Sequence, residues 1–182
     1  EDRLGQHLGQ SGRDLRREAG TRQGRQPNRQ RGSAVRVYYD PSCLIALYCP
    51  EPLSHRVRTF VDQKDQPILV NELQELEFRN ALRQKVLRRE ITTSDLARSL
   101  RLFDDDCVTN KIQYKPLPWL AVYAQAEGIS RVHSPKQVCR SFDLLHVAIA
   151  VASKVGLFAT FDAGQAKLAR AAALRPIEFL AT

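Results

Sequence analysis

The 182-residue chain is predicted to adopt an α/β fold with a parallel sheet. Residues 35–40, VRVYYD, are rich in β-branched and aromatic residues and end in a carboxylate. Residues 157–161 form a continuous apolar run followed by Asp162, which is typical of a strand buried on both faces of a parallel sheet. Helical segments separate these strands, and strands that alternate with helices indicate βαβ units.

The length of the chain favours one domain, residues 35–182, preceded by a tail. Residues 1–34 hold six of the nine glycines and eight arginines but few large apolar side chains, so they cannot bury enough surface to offset the entropy of ordering. Two interpretations stay open for this segment. It is either a disordered basic leader that binds nucleic acid, or a non-native or mis-assigned N-terminal segment.

The charge of the chain favours an anionic partner such as nucleic acid. The formal net charge is +8 and the isoelectric point is about 9.6. Residues 1–34 and the rest of the chain each carry half of that net charge. The sequence shows neither an apolar run long enough to span a membrane nor a signal-peptide core, so we expect a soluble cytoplasmic protein. The four cysteines lack metal-ligand spacing, and we expect them to stay reduced, with three or all four as small core residues.

Turn and capping residues divide the first half of the domain. Ser42 is expected to cap a short helix that ends at Tyr48, before Pro50 and Pro52. A second helix is predicted from Ser54 to about Lys64, and a second short strand over residues 67–70. Asn71 then caps a long helix that runs to about Arg89.

The long helix carries an acid on an apolar face. At 100° per residue one face holds, besides Glu77, the residues Leu73, Leu76, Asn80, Gln84 and Leu87. A second apolar stripe consists of Phe78, Leu82 and Val86. Glu77 is therefore predicted to lie among leucines and not on a solvated face.

The second half of the domain continues the alternation. Thr92 or Thr93 caps a helix to about Cys107, and residues 113–118 form a loop or edge strand. A helix from Trp119 to about Ser130 is expected to bury Leu120, Tyr123 and Ala124. The last helix is predicted over residues 162–173, and a closing strand over residues 176–180.

The segment from Arg140 to Asp162 places carboxylates at both ends of one helix and strand. Ser141 is a good N-cap, so Asp143 falls in the first turn, where the helix dipole favours an acid. The rest of the helix is apolar nearly all round, which predicts a buried helix, and Gly156 is expected to end it. Asp162 follows the next strand at its carboxyl end, the edge where ligands bind in open α/β sheets.

Four acids stand out, and they would form one cluster if they converge at the carboxyl edge of the sheet: Asp40, Glu77, Asp143 and Asp162. Like charges at close range raise one another's pKa and destabilise the fold, and a divalent cation relieves that repulsion. All-oxygen ligands suit Mg²⁺ or Mn²⁺ better than zinc. Cations held by carboxylates are suited to hydrolysing phosphodiester bonds, because one activates water and another stabilises the leaving oxygen.

Other chemistries have less support. The sequence contains no GxxxxGK[ST], GxGxxG, HExxH or GxSxG motif. His146, one turn after Asp143, could be a ligand or proton carrier, but a histidine in an apolar helix is more often a core residue with its hydrogen bonds satisfied. Asp104, Asp105 and Asp106 point in different directions on a helix, so a solvated helix end is favoured over a metal site.

Four blocks in this order resemble the PIN-domain ribonucleases, and most closely the VapC-type toxins of bacterial toxin–antitoxin pairs. They are the Tyr-Tyr-Asp40-Pro-Ser42 strand end, Glu77-Phe-Arg-Asn80-Ala-Leu, Arg140-Ser-Phe-Asp143-Leu-Leu-His146 and Thr160-Phe-Asp162. The resemblance spans residues 35–180 and implies an α/β/α sandwich with a central parallel sheet. Pro41 departs from the family, in which Thr or Ser is commoner at that position.

The resemblance also implies an activity and its partners. The protein would be an endoribonuclease dependent on Mg²⁺ or Mn²⁺, a homodimer, and a partner of a VapB-like antitoxin that covers the active site and contacts DNA. The metal-binding acids would be Asp40, Glu77, Asp143 and Asp162, with Ser42, Asn80 and Thr160 as the polar groups beside them. RNA would be held by basic residues such as Arg79, Arg83 and Arg140.

Two alternatives remain open at the level of sequence. The chain could serve mainly as a dimeric antitoxin-binding module of a DNA-binding repressor complex, with little catalysis. It could also be a PIN nuclease of RNA maturation. The RNA target, the cleavage position and the number of metal ions do not follow from the sequence.

Overall fold

A computed structural model describes residues 35–179. The predictions made for residues 1–34 and for the end of the last strand at residue 180 lie outside the described residues. Among the described helices, none is long and apolar enough to cross a membrane.

Strands and helices alternate along the domain as the sequence predicts. The strands are β1 (Val37–Tyr39), β2 (Ile68–Val70), β3 (Ile112–Tyr114), β4 (Leu157–Thr160) and β5 (Arg175–Glu178). The helices are α1 (Pro41–Tyr48), α2 (Ser54–Lys64), α3 (Glu72–Leu87), α4 (Thr93–Val108), α5 (Trp119–His133), α6 (Ser141–Ala152) and α7 (Ala163–Ala171).

All the strand pairings within residues 35–179 are parallel. Strand β4 lies between β1 and β5, with Tyr38 opposite Phe158 in the register of β1 and β4. Strands β2 and β3 pair separately. On the β1 edge away from β4, the Tyr39 carbonyl accepts a hydrogen bond from Nε2 of Gln74 at 2.6 Å, so a side chain of α3 satisfies that strand edge.

Alternating residues of the central strands point into two cores, one on each face of the sheet. Tyr39 and Ala159 pack in one core with side chains of α1, α3 and α4. Tyr38 and Phe158 pack in the other with side chains of α5, α6 and α7, and their rings stack at a centroid distance of 5.2 Å. The α/β/α sandwich is therefore confirmed.

Two predicted helix caps are wrong, and the residues that replace them bear on the site. Asp40, not Ser42, caps α1, because Pro41 is suited to the first helical position and the Asp40 carboxylate accepts the Ser42 N–H. Helix α6 begins at Ser141 itself, since Arg140 keeps an extended backbone with φ −77° and ψ 147° and takes the N-cap position without a capping side chain. The caps predicted at Asn71 and Thr92 are confirmed.

The predicted apolar faces of α3 are partly right, and that of α5 is wrong. In α3, Phe78 and Leu82 are fully buried and Val86 is half-buried, whereas Leu76 and Leu87 are 63% and 83% exposed. In α5 the three residues expected to be buried, Leu120, Tyr123 and Ala124, are all exposed, and burial falls instead on Val122 and Ile129. A helix with apolar residues on two sides can turn only one of them to the sheet, and periodicity does not say which.

The segment around α6 differs in detail from its prediction. Helix α6 ends at Ala152, before the end predicted at Gly156, and Lys154, with φ 53°, takes the left-handed conformation just after it. A Cβ at Gly156 would lie 2.5 Å from Cγ1 of the exposed Val35 side chain, which would have to shift to make room. Of the cysteines, Cys43 and Cys49 are buried and Cys107 and Cys139 are half-buried.

Candidate active site

The four predicted acids line one cavity at the carboxyl ends of β1 and β4. The cavity has a volume of about 400 Å³. Its lining includes the four acids together with Ser42, His146, Phe142, Phe161 and Gln165. Parallel strands bring their carboxyl ends to the same edge, so the topology itself assembles this group from distant parts of the chain.

Asp40 is held by the helix that it caps. Its Oδ2 accepts hydrogen bonds from the backbone N–H of Ser42 at 3.1 Å and from the Ser42 hydroxyl. The backbone N–H of Asp40 itself donates to the Ala159 carbonyl at 2.9 Å, which continues the pairing of β1 with β4. The Ser42 side chain thus lies beside Asp40 as expected, and the carboxylate is buried with a fixed orientation.

Asp162 occupies the equivalent position after β4. Its Oδ1 accepts from the backbone N–H of Gln165 at 2.9 Å, which caps α7, and its own N–H donates to Oγ1 of Thr160 at 3.0 Å. The Thr160 hydroxyl donates to Oε1 of Gln165 at 2.7 Å. Thr160 and Gln165 together therefore fix the start of α7 and the carboxylate that caps it.

Asp143 lies in the first turn of α6, half-buried between the other acids. Burial raises the pKa of its carboxyl above the usual range, and the nearby Asp162 carboxylate raises that pKa further. Arg140 acts in the opposite direction, and Asp40 adds a smaller rise. The three aspartates are thus close enough to repel one another, which is the electrostatic condition that the sequence predicted for this edge.

Glu77 comes to the cavity from α3 and is paired with His146. The two side chains are joined by a 3.0 Å contact from Nε2 of His146 to Oε2 of Glu77. The other carboxylate oxygen, Oε1, is buried and is the one buried side-chain polar atom without a hydrogen-bond partner among residues 35–179. Glu77 therefore has one oxygen held by the protein and one left for a ligand.

The chemistry of this donor set fits a hard divalent cation. The acids offer only oxygen ligands, their mutual repulsion favours a positive charge between them, and an unpaired carboxylate oxygen is already present. Within residues 35–179 no three His, Cys, Asp or Glu side chains converge closely enough to enclose a metal ion on their own. A cation here would keep several water or phosphate ligands, as Mg²⁺ usually does.

A wider groove of about 730 Å³ adjoins the acidic cavity between α3 and α6. Asn80 and Arg140 line this groove, together with the apolar side chains of Leu76 and Phe142. Asn80 thus lies next to Glu77 and Asp143, as predicted, but on the exposed side.

The three arginines predicted to bind RNA lie in different places. Arg140 borders both the groove and Asp143. Arg79 is paired with Glu75 at 2.7 Å and Asp104 at 2.6 Å, so its charge is already neutralised away from the cavity. Arg83 is exposed on α3 and lines neither the cavity nor the groove.

Comparison with protein families gives a match to the PIN domain over residues 37–171. The chain belongs to the PIN domain family. The matched segment contains all four acids, so the resemblance that the sequence motifs indicated is confirmed. PIN domains are generally nucleases, that is, phosphodiester hydrolases, and they typically use divalent metal ions.

The solved structures include a relative of this PIN domain. The crystal structure of FitAcB from Neisseria gonorrhoeae superimposes with a TM-score of 0.52 and 16% sequence identity, covering 79% of this chain and 98% of the other. At that identity the likeness is one of fold. By sequence, no curated protein matches the chain at a significant level.

Sequence reasoning missed two residues that hold the acids of the PIN domain, one directly and one through His146. Gln165 is buried, and its backbone N–H donates to Oδ1 of Asp162, the residue that caps α7. The Tyr38 hydroxyl lies 2.6 Å from Nδ1 of His146, which in turn contacts Glu77. The Asp162-x-x-Gln165 spacing is a capping pattern that could have indicated the first. Nothing local to β1 indicates the second.

Proposed function

We propose that this PIN domain is an endoribonuclease that depends on Mg²⁺ or Mn²⁺ and acts in the cytoplasm as the toxin of a VapBC-type toxin–antitoxin pair. The observation that carries the proposal is the cavity lined by Asp40, Glu77, Asp143 and Asp162, in which the pKa of Asp143 is raised first by burial and then by its acidic neighbours. A site that holds several carboxylates against their own repulsion needs a cation to work.

The four acids would hold the cation together with the water or phosphate ligands that it keeps, and each acid is fixed in a different way. Asp40 and Asp162 are fixed by backbone N–H groups, Asp143 by its place in the first turn of α6, and Glu77 by His146. The bound cation would activate water and stabilise the charge that develops on the scissile phosphate. The protein supplies preorganised ligands, so little reorganisation is needed as that charge develops.

RNA would reach the cavity along the groove between α3 and α6. Arg140 provides a cation at the edge of the acidic cavity, where a phosphate next to the scissile bond could lie. The exposed Phe142 and the Asn80 carboxamide offer a stacking surface and hydrogen-bonding groups for an unpaired base. These features support a single-stranded RNA substrate in preference to a duplex.

Cleavage of RNA tests the proposed activity. The purified protein, freed of any bound partner, is expected to cut total RNA into discrete fragments with Mg²⁺ or Mn²⁺ and to leave it intact with EDTA. Fragment ends mapped by primer extension would identify the cleaved sequence. Intact RNA with both metals would contradict the nuclease proposal and leave antitoxin binding within a repressor complex as the main role.

The partners of the toxin proposal are a second copy of the chain and a VapB-like antitoxin, which would contact DNA in place of the toxin. Support comes from apolar side chains left exposed on two helices, namely Leu76 and Leu87 on α3 and Leu120 and Tyr123 on α5. Groups of exposed large apolar residues mark interaction surfaces.

We expect the purified chain to form a homodimer in solution. Light scattering coupled to size exclusion should give twice the 20.6 kDa chain mass. Replacing Leu120 by Glu should shift the mass toward the monomer, because a charge would then be buried in the interface. The matched control is Val138→Glu, which changes a residue that is also almost fully exposed but lies outside both helices. A wild-type monomer at micromolar concentration would contradict the dimer.

A further inference from the structure

A chain of buried hydrogen bonds connects strand β1 to the acidic cavity. The Tyr38 hydroxyl lies 2.6 Å from Nδ1 of His146, and Nε2 of His146 lies 3.0 Å from Oε2 of Glu77. Tyr38 and His146 are both buried, at 4% and 1% exposure. Three elements of the sandwich, β1, α6 and α3, therefore contribute one residue each to a continuous path that ends on a carboxylate of the site.

The donors and acceptors along this path fix the proton on the imidazole. An ionised carboxylate only accepts hydrogen bonds, so Nε2 of His146 must carry the hydrogen that points to Glu77. When the ring carries no second proton, Nδ1 is an acceptor, and the Tyr38 hydroxyl is the group that donates to it.

The hydrogen bond between His146 and Glu77 also determines which oxygen of the Glu77 carboxylate stays without a partner. With Oε2 occupied by His146, the buried Oε1 remains without a hydrogen-bond partner, and the Glu77 side chain lines the acidic cavity. The ring of Tyr38 is itself fixed, because it stacks on Phe158 with an interplanar angle of 12°. The position of the Glu77 carboxylate is thus set by the packing of the sheet core and not by the surface of α3.

We propose that Tyr38 and His146 are positioning residues, which hold Glu77 so that its free oxygen is available to a divalent cation. The inference rests on the proposed metal-dependent function and extends it by two residues. Hydrogen-bonded partners of metal ligands typically change metal affinity about 10- to 100-fold when they are removed. Both residues would act through Glu77, and Tyr38 is not among the residues that line the acidic cavity.

Two measurements on the full chain without RNA test the proposal. The first is the tautomer of His146, read from long-range ¹H–¹⁵N correlation spectra of the metal-free protein. The chain has four histidines, and the signal that disappears in His146→Gln identifies this one. We expect the wild-type ring to be protonated at Nε2 and unprotonated at Nδ1, and the Nδ1 signal to move in Tyr38→Phe. A ring protonated at Nδ1 alone would overturn the proposal.

The second measurement is Mn²⁺ affinity by calorimetric titration with manganese chloride. His146→Leu should weaken binding about 10- to 100-fold, since it removes the donor to Glu77. His146→Gln should retain affinity to within about threefold, because its carboxamide N–H can donate to the same oxygen. Tyr38→Phe should fall between them, about fivefold weaker than wild type.

A matched control separates positioning from general damage to the fold. Tyr39→Phe removes the neighbouring phenol of the same strand, whose ring packs against Phe60 in the other core, and should leave Mn²⁺ affinity unchanged. If His146→Leu fails to fold, His146→Gln and Tyr38→Phe still decide the outcome. The proposal is overturned if wild type binds no Mn²⁺, if His146→Leu binds like wild type, or if His146→Gln loses as much affinity as His146→Leu.

The outcomes also distinguish this inference from the proposed function. A protein that shows the expected tautomer and affinities but leaves RNA intact would refute the ribonuclease and keep the positioning roles. A protein that cuts RNA but binds Mn²⁺ equally well in all variants would refute the positioning roles and keep the ribonuclease.

Discussion

Replacing Asp143 by Asn is expected to lower the rate of RNA cleavage about 10³-fold. The change removes one carboxylate from the lining of the acidic cavity, where we propose that it binds the cation, while it keeps the size and shape of the side chain. A loss of roughly 4 kcal/mol of transition-state stabilisation corresponds to that factor, and several kcal/mol is the contribution expected of a bound cation. Initial rates on a fluorescent RNA that contains the mapped cleavage site would measure the effect.

The matched control for this variant is Asp105→Asn. Asp105 is an exposed acid on α4, far in sequence from the four acids and outside the cavity. The Asp105→Asn variant undergoes the same chemical change and should cleave RNA at the wild-type rate. Equal rates for Asp143→Asn and Asp105→Asn would mean that the cavity is not the catalytic site.

The same Asp143→Asn variant should be slightly more stable than wild type when no metal is present. The folded state raises the pKa of Asp143, so in the pH range between the unfolded and folded pKa values the native protein holds the extra proton. Stability therefore falls as pH rises through that range, and the penalty is complete above the folded pKa. Solvent reaches this half-buried site and screens it, so we expect a gain of less than about 1 kcal/mol at neutral pH.

Thermal unfolding of wild type and Asp143→Asn in EDTA at pH 7.5 and pH 3.5 would show this dependence. The two proteins should differ most at the higher pH and approach each other at the lower pH, where most of the wild-type carboxyl is protonated in both states. A variant that is less stable than wild type at pH 7.5 would contradict the repulsion inferred among the aspartates.

Replacing Leu82 by Ala is expected to lower the free energy of unfolding by about 2–5 kcal/mol. Leu82 is fully buried on α3, in the core shared with α1 and α4. The control is Leu87→Ala, five residues along the same helix, which should change stability by less than about 0.5 kcal/mol because that side chain is 83% exposed. Urea unfolding followed by circular dichroism would give both values. A similar loss of unfolding free energy in the two variants would contradict the burial of the Leu82 face of α3 in the core.

The positions of the acids could be predicted from the sequence because each depends on local signals. Asp40 and Asp162 follow short apolar strands, and Asp143 follows the start of an apolar helix. Because the strands are parallel, their carboxyl ends lie at one edge of the sheet, so the prediction needs no knowledge of side-chain contacts. Glu77 required more, because its helix has two apolar stripes, and its arrival at the cavity followed from the resemblance of the whole pattern to PIN domains.

The contacts that orient those acids could not be predicted in the same way. Tyr38 and His146 are 108 residues apart in the chain, and their hydrogen bond exists only once β1 and α6 are packed together. The exposed face of α5 is a similar case, since only the docking of that helix on α6 decides which apolar residues are covered. The N-cap of α1 is also predicted wrongly, because Ser42 and Asp40, two residues earlier, are both good capping residues.

The capping roles of Asp40 and Asp162 have a consequence for the order in which the protein matures. Each of these carboxylates accepts backbone N–H groups at the positive end of a helix, so part of its charge is compensated by the polypeptide itself. Under the proposed function, the chain would complete its fold before a cation arrives, and ion loading would be a later and separate event. A chelator would then act as a reversible inhibitor of a folded protein, and a change in free Mg²⁺ would switch the molecule on without new synthesis.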